Sequence, residues 1–222
     1  MYLSRVQIDI NNRQKIKDLS HLGAFHNWVE QSFPEEIAQG KRKRHLWRID
    51  QLSGKLYLLV LSEDKPDQSM LSQYGIQTTV ITKTYDRFLN QLHNQQIVQF
   101  RLTANPTHRS SNTTDKTSHV FAHVTVEQQK QWLIAKTKNA GFVLTKKQVN
   151  TEMINSQWNF DIVKRDWPIL ERKHAHAIRL SRVTFEGELK ITNLEQFKLT
   201  LTHGIGREKA FGMGLMTVIP RR

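Results

Sequence analysis

The chain has 222 residues, 38% of them hydrophobic, with 33 Lys and Arg against 20 Asp and Glu, a formal charge of +13. That length allows one large domain or two small ones with a true core, and a charge of that size favours a polyanionic partner. There is no cysteine, which excludes disulfides, thiolate catalysis and cysteine zinc sites and fits a reducing compartment, expected to be the cytoplasm.

The opening "MYLSRVQIDI" alternates, with Tyr2, Val6, Ile8 and Ile10 opposite Arg5, Gln7 and Asp9, and reads as a strand. It has no charged leader before a long apolar core, so it is not read as a signal peptide. Nowhere does an apolar run approach the roughly 20 residues of a membrane span, and no membrane partner is expected. Residues 24–38 are helical in period, with Phe25, Trp28 and Val29 on one face and Pro34 ending or interrupting the helix near Ser32. After the basic run Lys41, Arg42, Lys43 and Arg44 come two strands, "HLWRIDQ" and "KLYLLVLS", joined at Ser53 and Gly54 as a hairpin. A short helix near 67–73 and a strand at 77–83 complete a β-α-β-β-α-β order, that of a ferredoxin-like unit.

The same order then repeats. "IVQFRLTANP" is a strand, residues 107–119 read as a mobile loop, and Thr125 with Gln128 opens a helix over 126–140 in capping-box spacing. Strands of ambiguous pattern at 142–149 and 156–165 are compatible with a hairpin. Residues 181–192 alternate most clearly, Asn193 caps a helix over 194–203, Gly204 ends it, and 213–219 form a last strand. The expected fold is therefore α+β, two tandem ferredoxin-like domains, residues 1–90 and 91–222, divided within the polar stretch 86–96.

Three features bear on chemistry. In "GIGREKAFGMG" (204–214), four glycines flank Arg207 and Lys209. Gly204 suits a helix end, while Gly206, Gly212 and Gly214 suit either a tight turn or a backbone that lies close to another chain and presents N–H groups to an anion. The spacing is that of neither a Walker A loop nor a dinucleotide fingerprint. Of the ten histidines, His174 and His176 are the closest pair, but no carboxylate cluster accompanies them, and they read as strand-surface residues rather than metal ligands. His26, between Phe25 and Trp28 on the first helix, is either a half-exposed helix histidine or a general acid or base, with His21 a weaker candidate. The basic run at 41–44 is a solvated loop or a phosphate contact. "KLYLLVLS" lacks the paired aromatics on which an RNA-recognition motif stacks bases.

The segments "MYLSRVQID", "DLSHLGAFHNWVEQSFP", "LWRID", "FRLTANP", "VTFEG" and "GIGREKAFGMGLMTV" together resemble, over nearly the whole chain, the CasE family: the CRISPR-associated endoribonucleases that process precursor guide RNA in type I-E systems as subunits of Cascade. The resemblance implies two ferredoxin-like domains and a metal-independent, cofactor-free endoribonuclease. Such an enzyme binds the hairpin of the CRISPR repeat, cuts at its 3′ base by 2′-OH attack to leave a 2′,3′-cyclic phosphate and a 5′-OH, and stays on the mature guide RNA beside other Cascade subunits. The family's active-site histidine falls on His26, and its RNA-contacting loop on Gly204, Gly206, Gly212 and Gly214; Arg101, Arg207 and Lys209 are expected at phosphates. Some relatives carry a tyrosine beside the histidine, where this chain has Gly23, Ala24 and Phe25. Lys41, Lys43 and His21 are the candidates for a second proton-transfer group. The alternative reading is a subunit of the same fold that holds hairpin RNA without cutting it.

Overall fold

The computed structural model describes residues 1–111, 118–147, 157–172 and 175–221. The first half runs β1 (Tyr2–Gln7), α1 (Arg13–Ile16), α2 (Leu22–Gln31), α3 (Pro34–Ala38), β2 (Leu46–Leu52), β3 (Lys55–Ser62), α4 (Gln68–Leu71) and β4 (Ile81–Thr84). A turn of helix, α5 (Asp86–Leu89), follows β4, and the second half runs β5 (Ile97–Ala104), β6 (Thr107–Ser111), β7 (Ser118–Ala122), α6 (Val126–Thr137), β8 (Phe142–Leu144), β9 (Phe160–Asp166), β10 (Ile169–Arg172), β11 (Ala175–Arg179), β12 (Arg182–Ile191), α7 (Leu194–His203) and β13 (Met216–Pro220).

Both halves build the antiparallel sheet of a ferredoxin-like domain. The first is ordered β2-β3-β1-β4 and the second β13-β5-β12-β8, the same permutation once the inserted hairpins are set aside. Local sequence explains the elements. Ser53 and Gly54, both at positive φ, make the two-residue turn between β2 and β3. Thr125 and Gln128 close the capping box of α6, and the Asn193 side chain accepts the Gln196 N–H at the start of α7. The helix expected over 24–38 is two: α2 stops at Gln31, and Pro34 stands in the first turn of α3, where its missing N–H costs nothing.

Three expectations change. Residues 107–111 and 118–122 are not loop but the paired strands β6 and β7, in which His108 lies across from Phe121; their Ser/Thr-rich composition conceals the pairing. Residues 112–117 and 148–156, with His174, lie outside the described residues. Among the described residues, the expected strands at 142–149 and 156–165 meet each other only near Lys146 and Trp158. β8 pairs with Leu189–Ile191 and β9 with Arg182–Gly187, end to end along the same edge of the ten-residue β12, and a single bridge joins Lys146 to Trp158. The strand expected at 77–83 starts later, because Gln77–Thr79 form a turn of 3₁₀ helix before β4.

The two domains share their cores. Leu46 and Leu61 of the first sheet are buried among Leu102, Phe185 and Met216, while Leu170, Leu180 and Met213 are buried with Trp28, Trp47 and Leu58. Arg48 on β2 fastens the seam. Its side chain is 2% exposed and grips Asp50 with two 2.7 Å bonds. It also donates to the carbonyls of Arg101 and Leu215, each at 2.9 Å, and to Thr217 Oγ1 at 2.8 Å. Charge and carboxylate alike are out of water, so the pair is tolerable only because each guanidinium N–H aimed at the second sheet finds an acceptor.

Replacing Arg48 with Met strands those carbonyls and leaves Asp50 with only Arg101, 3.6 Å away, as a cation. The expected loss is about 3 kcal/mol, against about 1 kcal/mol for Thr217→Val, which removes one bond. Urea unfolding monitored by tryptophan fluorescence measures both, and equal midpoints for Arg48→Met and wild type would mean that the seam does not depend on this residue.

Candidate active site

The turn before α2 and the break after it fix where His26 points. His21 caps the helix, its Nδ1 accepting the Ala24 N–H at 3.3 Å. A Cβ at position 23 would sit 3.0 Å from that ring, so glycine there leaves room for the cap. Leu22, Trp28 and Val29 turn into the core. His26 and Glu30, four residues apart, lie along the flank of the helix, with His26 Nδ1 3.9 Å from Glu30 Oε1.

Opposite this flank is the C-terminal glycine segment. Trp47 of β2 donates from Nε1 to the Ala210 carbonyl at 2.9 Å. This sets Phe211 edge-on to the His26 ring, centroids 5.7 Å apart. Lys209 Nζ donates to the His203 carbonyl at 2.7 Å. Gly204, Gly206, Gly212 and Gly214 all have positive φ, and a Cβ on any of them would press on protein atoms. The fold itself therefore requires these glycines, and the surfaces they leave bare are covered by Leu46, Trp132, Trp47 and Ile205.

Between the two flanks is a cleft of about 790 Å³ lined by His26, Glu30, Lys43, Lys209 and His203, with Arg42 and Arg44 on its rim. Burial lowers the pKa of His26; Glu30 opposes this, while Arg42 and His45 lower it further. Burial also lowers that of Lys209, helped by the charge of Arg44. The cleft thus holds a histidine biased toward its neutral form and a lysine more ready to release its proton than an exposed one. Lys43 differs: its ammonium bonds Asp64 at 2.8 Å and lies 3.6 Å from Glu63, and the Asp64 bond raises its pKa.

Of the residues expected from sequence, His26, Lys43 and Lys209 come together here. Lys41 and Arg207 are exposed and do not line the cleft, and His21 is occupied as a helix cap. Arg101 is elsewhere, on the second sheet, paired with Glu186 at 3.1 Å. It borders a larger hollow of about 850 Å³ in which several charges are paired, as are Lys130 and Asp161 at 2.9 Å, and the smaller cleft, which holds His26, is the better candidate for chemistry. Among the described residues no group of three or more His, Cys, Asp or Glu side chains is placed to hold a metal ion. Sequence reasoning missed Glu30, whose spacing from His26 was the available signal, and also His45, His203 and Phe211, which reach the site only through the tertiary fold.

A family model described as CRISPR associated protein matches residues 1–220. The chain is 27% identical, over 99% of its own length and all of the relative's, to the CRISPR-associated endoribonuclease Cse3 of Thermus thermophilus. Among solved structures, CRISPR endoribonuclease Cse3 bound to a 19-nucleotide RNA superposes with a TM-score of 0.78 at 24% identity, covering 99% of this chain and 100% of that one. A chain of a CRISPR RNA-guided surveillance complex superposes with a TM-score of 0.59 at 18% identity, covering all of both.

The glycine segment yields a stability test. At Gly212, φ is +78° and an added Cβ would meet the buried Trp47 ring at 2.6 Å; at Gly40, φ is +66° and the space is open. Gly40→Ala therefore carries only backbone strain, about 1 kcal/mol, whereas Gly212→Ala adds overpacking and is expected to cost about 3 kcal/mol. Thermal unfolding compares the two, and equal losses would show that Trp47 yields freely.

Proposed function

The chain belongs to the CRISPR associated protein family, and on that premise we propose that it is a metal-independent endoribonuclease. It binds the hairpin of CRISPR repeat RNA, cleaves at the 3′ base of that hairpin, and remains on the mature guide RNA as a Cascade subunit, working in the cytoplasm. Residues 1–90 contribute His26 and residues 91–222 the glycine-rich segment. The observation that carries this reading is the cleft in which His26 and Lys209, from different domains, face one space beneath Arg42 and Arg44. Similarity to an endoribonuclease named for CRISPR, and to a chain of an RNA-guided surveillance complex, supports the substrate and the partners.

The chemistry follows from the charges. A hairpin phosphate entering the cleft meets the guanidinium groups of Arg42 and Arg44, which offset its charge and that gathering in the transition state. Neutral His26 accepts the 2′-OH proton as the 2′-oxygen bonds to phosphorus, and the bond from phosphorus to the 5′-oxygen breaks. Lys209 is the group placed to protonate that departing oxygen, its amine brought by burial nearer the range in which a donor works. The products are a 2′,3′-cyclic phosphate and a 5′-OH. Gly204, Gly206, Gly212 and Gly214 act by shaping the segment that presents Lys209 and Phe211. Arg207, exposed on the same segment, and Arg101, on the second sheet, are further candidates for phosphates away from the cut.

Single-turnover cleavage of hairpin RNA in excess chelator is the test. His26→Ala should slow cutting by about 10²–10⁴-fold with little change in affinity, since phosphates dominate binding. A 2′-deoxy substitution at the scissile nucleotide should abolish cutting. Lys209→Ala should slow cutting too, and should reduce the salt dependence of binding by about one phosphate at most. Cleavage of the deoxy substrate, or a requirement for divalent metal, overturns the mechanism. Tight hairpin binding with no cut under any condition would instead indicate a non-catalytic RNA-holding subunit.

A further inference from the structure

Behind His26 lies a group of buried charges that the proposed chemistry does not use. His45, the first residue after the basic run, has a side chain only 2% exposed. Its Nδ1 is 2.9 Å from Glu30 Oε1 and its Nε2 3.3 Å from Glu36 Oε1. Its ring lies flat on Phe33, centroids 3.8 Å apart. Ionised carboxylates only accept hydrogen bonds. A neutral imidazole has a single N–H and would turn its other lone pair on a carboxylate, so both contacts are satisfied only by the imidazolium.

The group has two outlets. The second oxygen of Glu36 accepts the Lys43 backbone N–H at 2.9 Å, which fastens the loop bearing Arg42 and Arg44. Glu30 Oε1, held by His45, is also the atom 3.9 Å from His26 Nδ1. Two carboxylates against one imidazolium leave a net charge of −1, and it faces His26.

We propose that Glu30, held by His45, which Glu36 in turn backs, is a positioning residue: its charge beside Nδ1 of His26 favours that nitrogen facing inward, leaves Nε2 to the cleft, and stabilises the imidazolium that forms when His26 takes a proton. The catalytic part of this rests on the function proposed above. The arrangement follows the logic by which a buried carboxylate orients a catalytic histidine and stabilises its protonated form, here with the carboxylate anchored by a second histidine.

The charged and titratable groups around His26 are Glu30 on its own helix, Arg42, Lys43, Arg44 and His45 from the loop before β2, Glu63 after β3, and His203 and Lys209 across the cleft. Around His45 are Glu30 on α2, Glu36 on α3, His26, and Asp64 beyond β3. For His45, burial opposes protonation, but the bonds and charges of Glu30 and Glu36 outweigh it and the pKa is raised. Its stabilising contribution is thus complete below the ordinary histidine pKa and is lost as pH rises through the raised one.

Two substitutions should move His26 in opposite directions. Glu30→Gln keeps the shape and removes the negative charge, so His26 should titrate at lower pH by NMR. The ascending limb of the pH–rate profile should follow it, the plateau should fall by roughly tenfold, and hairpin affinity should hold within about twofold. His45→Gln removes a positive charge and frees Glu30, so His26 should titrate at higher pH. A purely structural role would give both variants the same direction or none. If His45→Gln does not fold, Glu30→Gln decides alone: unchanged His26 titration in the folded variant overturns the proposal. Should the titration move while the rate does not, the electrostatic clamp stands and the catalytic assignment of His26 falls.

Discussion

The structure depends on β2 being an edge strand with no free face. In the first sheet it pairs only with β3, yet Leu46, Trp47, Arg48 and Asp50 are all buried. Such a strand needs a second layer on its outer side, and the C-terminal domain supplies it. Alternation divides the work. Leu46 and Arg48 point into the second domain, one through apolar contact and the other through directed hydrogen bonds, while Trp47 points the other way and still reaches the Ala210 carbonyl. Apolar packing by itself would let the domains slide. The three bonds of Arg48 to Arg101, Leu215 and Thr217 fix the register of β2 against β5 and β13, while two more hold Asp50, and a guanidinium, unlike an ammonium, offers enough donors in a fixed plane to do both.

The cleft follows from that seam. Its two flanks come from the ends of the chain: α2 near the start and the segment from 204 to 214 near the finish. Trp47 touches both, stacking on Phe25 at 6.1 Å and lying under Gly212. The separation between His26 and Phe211 is thus set by one buried indole rather than by the flexible length of a loop. Positive charge could not be gathered here without balance. Lys43 is matched by Asp64 and Glu63, and Glu30 and Glu36 hold the base of the same loop, so the fold keeps the cationic rim stable before any RNA arrives.

Much of this was legible in the sequence wherever the signal was local. Ser53–Gly54 announced its hairpin, Thr125 with Gln128 its helix start, and the alternation at 181–192 its strand. His26 and the glycine segment were marked by resemblance. The meaning of the glycines was not legible. The pattern allowed a tight turn or close approach to another chain, whereas the groups packed against these glycines are Trp47, Trp132, Leu46 and Ile205 of the protein itself, and no sequence pattern says which surface a glycine bares. Nor was the role of His45, which reads as the tail of a basic run and becomes a buried cation only because α3 turns Glu36 back over it. The β6–β7 pairing was hidden for a simpler reason: a polar hairpin with little apolar alternation has the composition of a loop.

The cap at His21 bears on how such a site divides its chemistry. A Cβ at position 23 would press on the ring that caps α2, 3.0 Å away, so a larger residue there requires the capping ring to shift. This chain has the cap, which satisfies an otherwise unpaired N–H at the helix start, and forgoes an ionisable group beside His26. On the function proposed above, a second proton-transfer group comes from elsewhere. The segment that Trp47 holds in place brings Lys209, from the far end of the chain. Catalysis divided in this way requires both domains to be docked. A rigid, buried seam serves that requirement better than a hinged one, because the two groups gain their mutual orientation when the chain folds rather than when RNA binds.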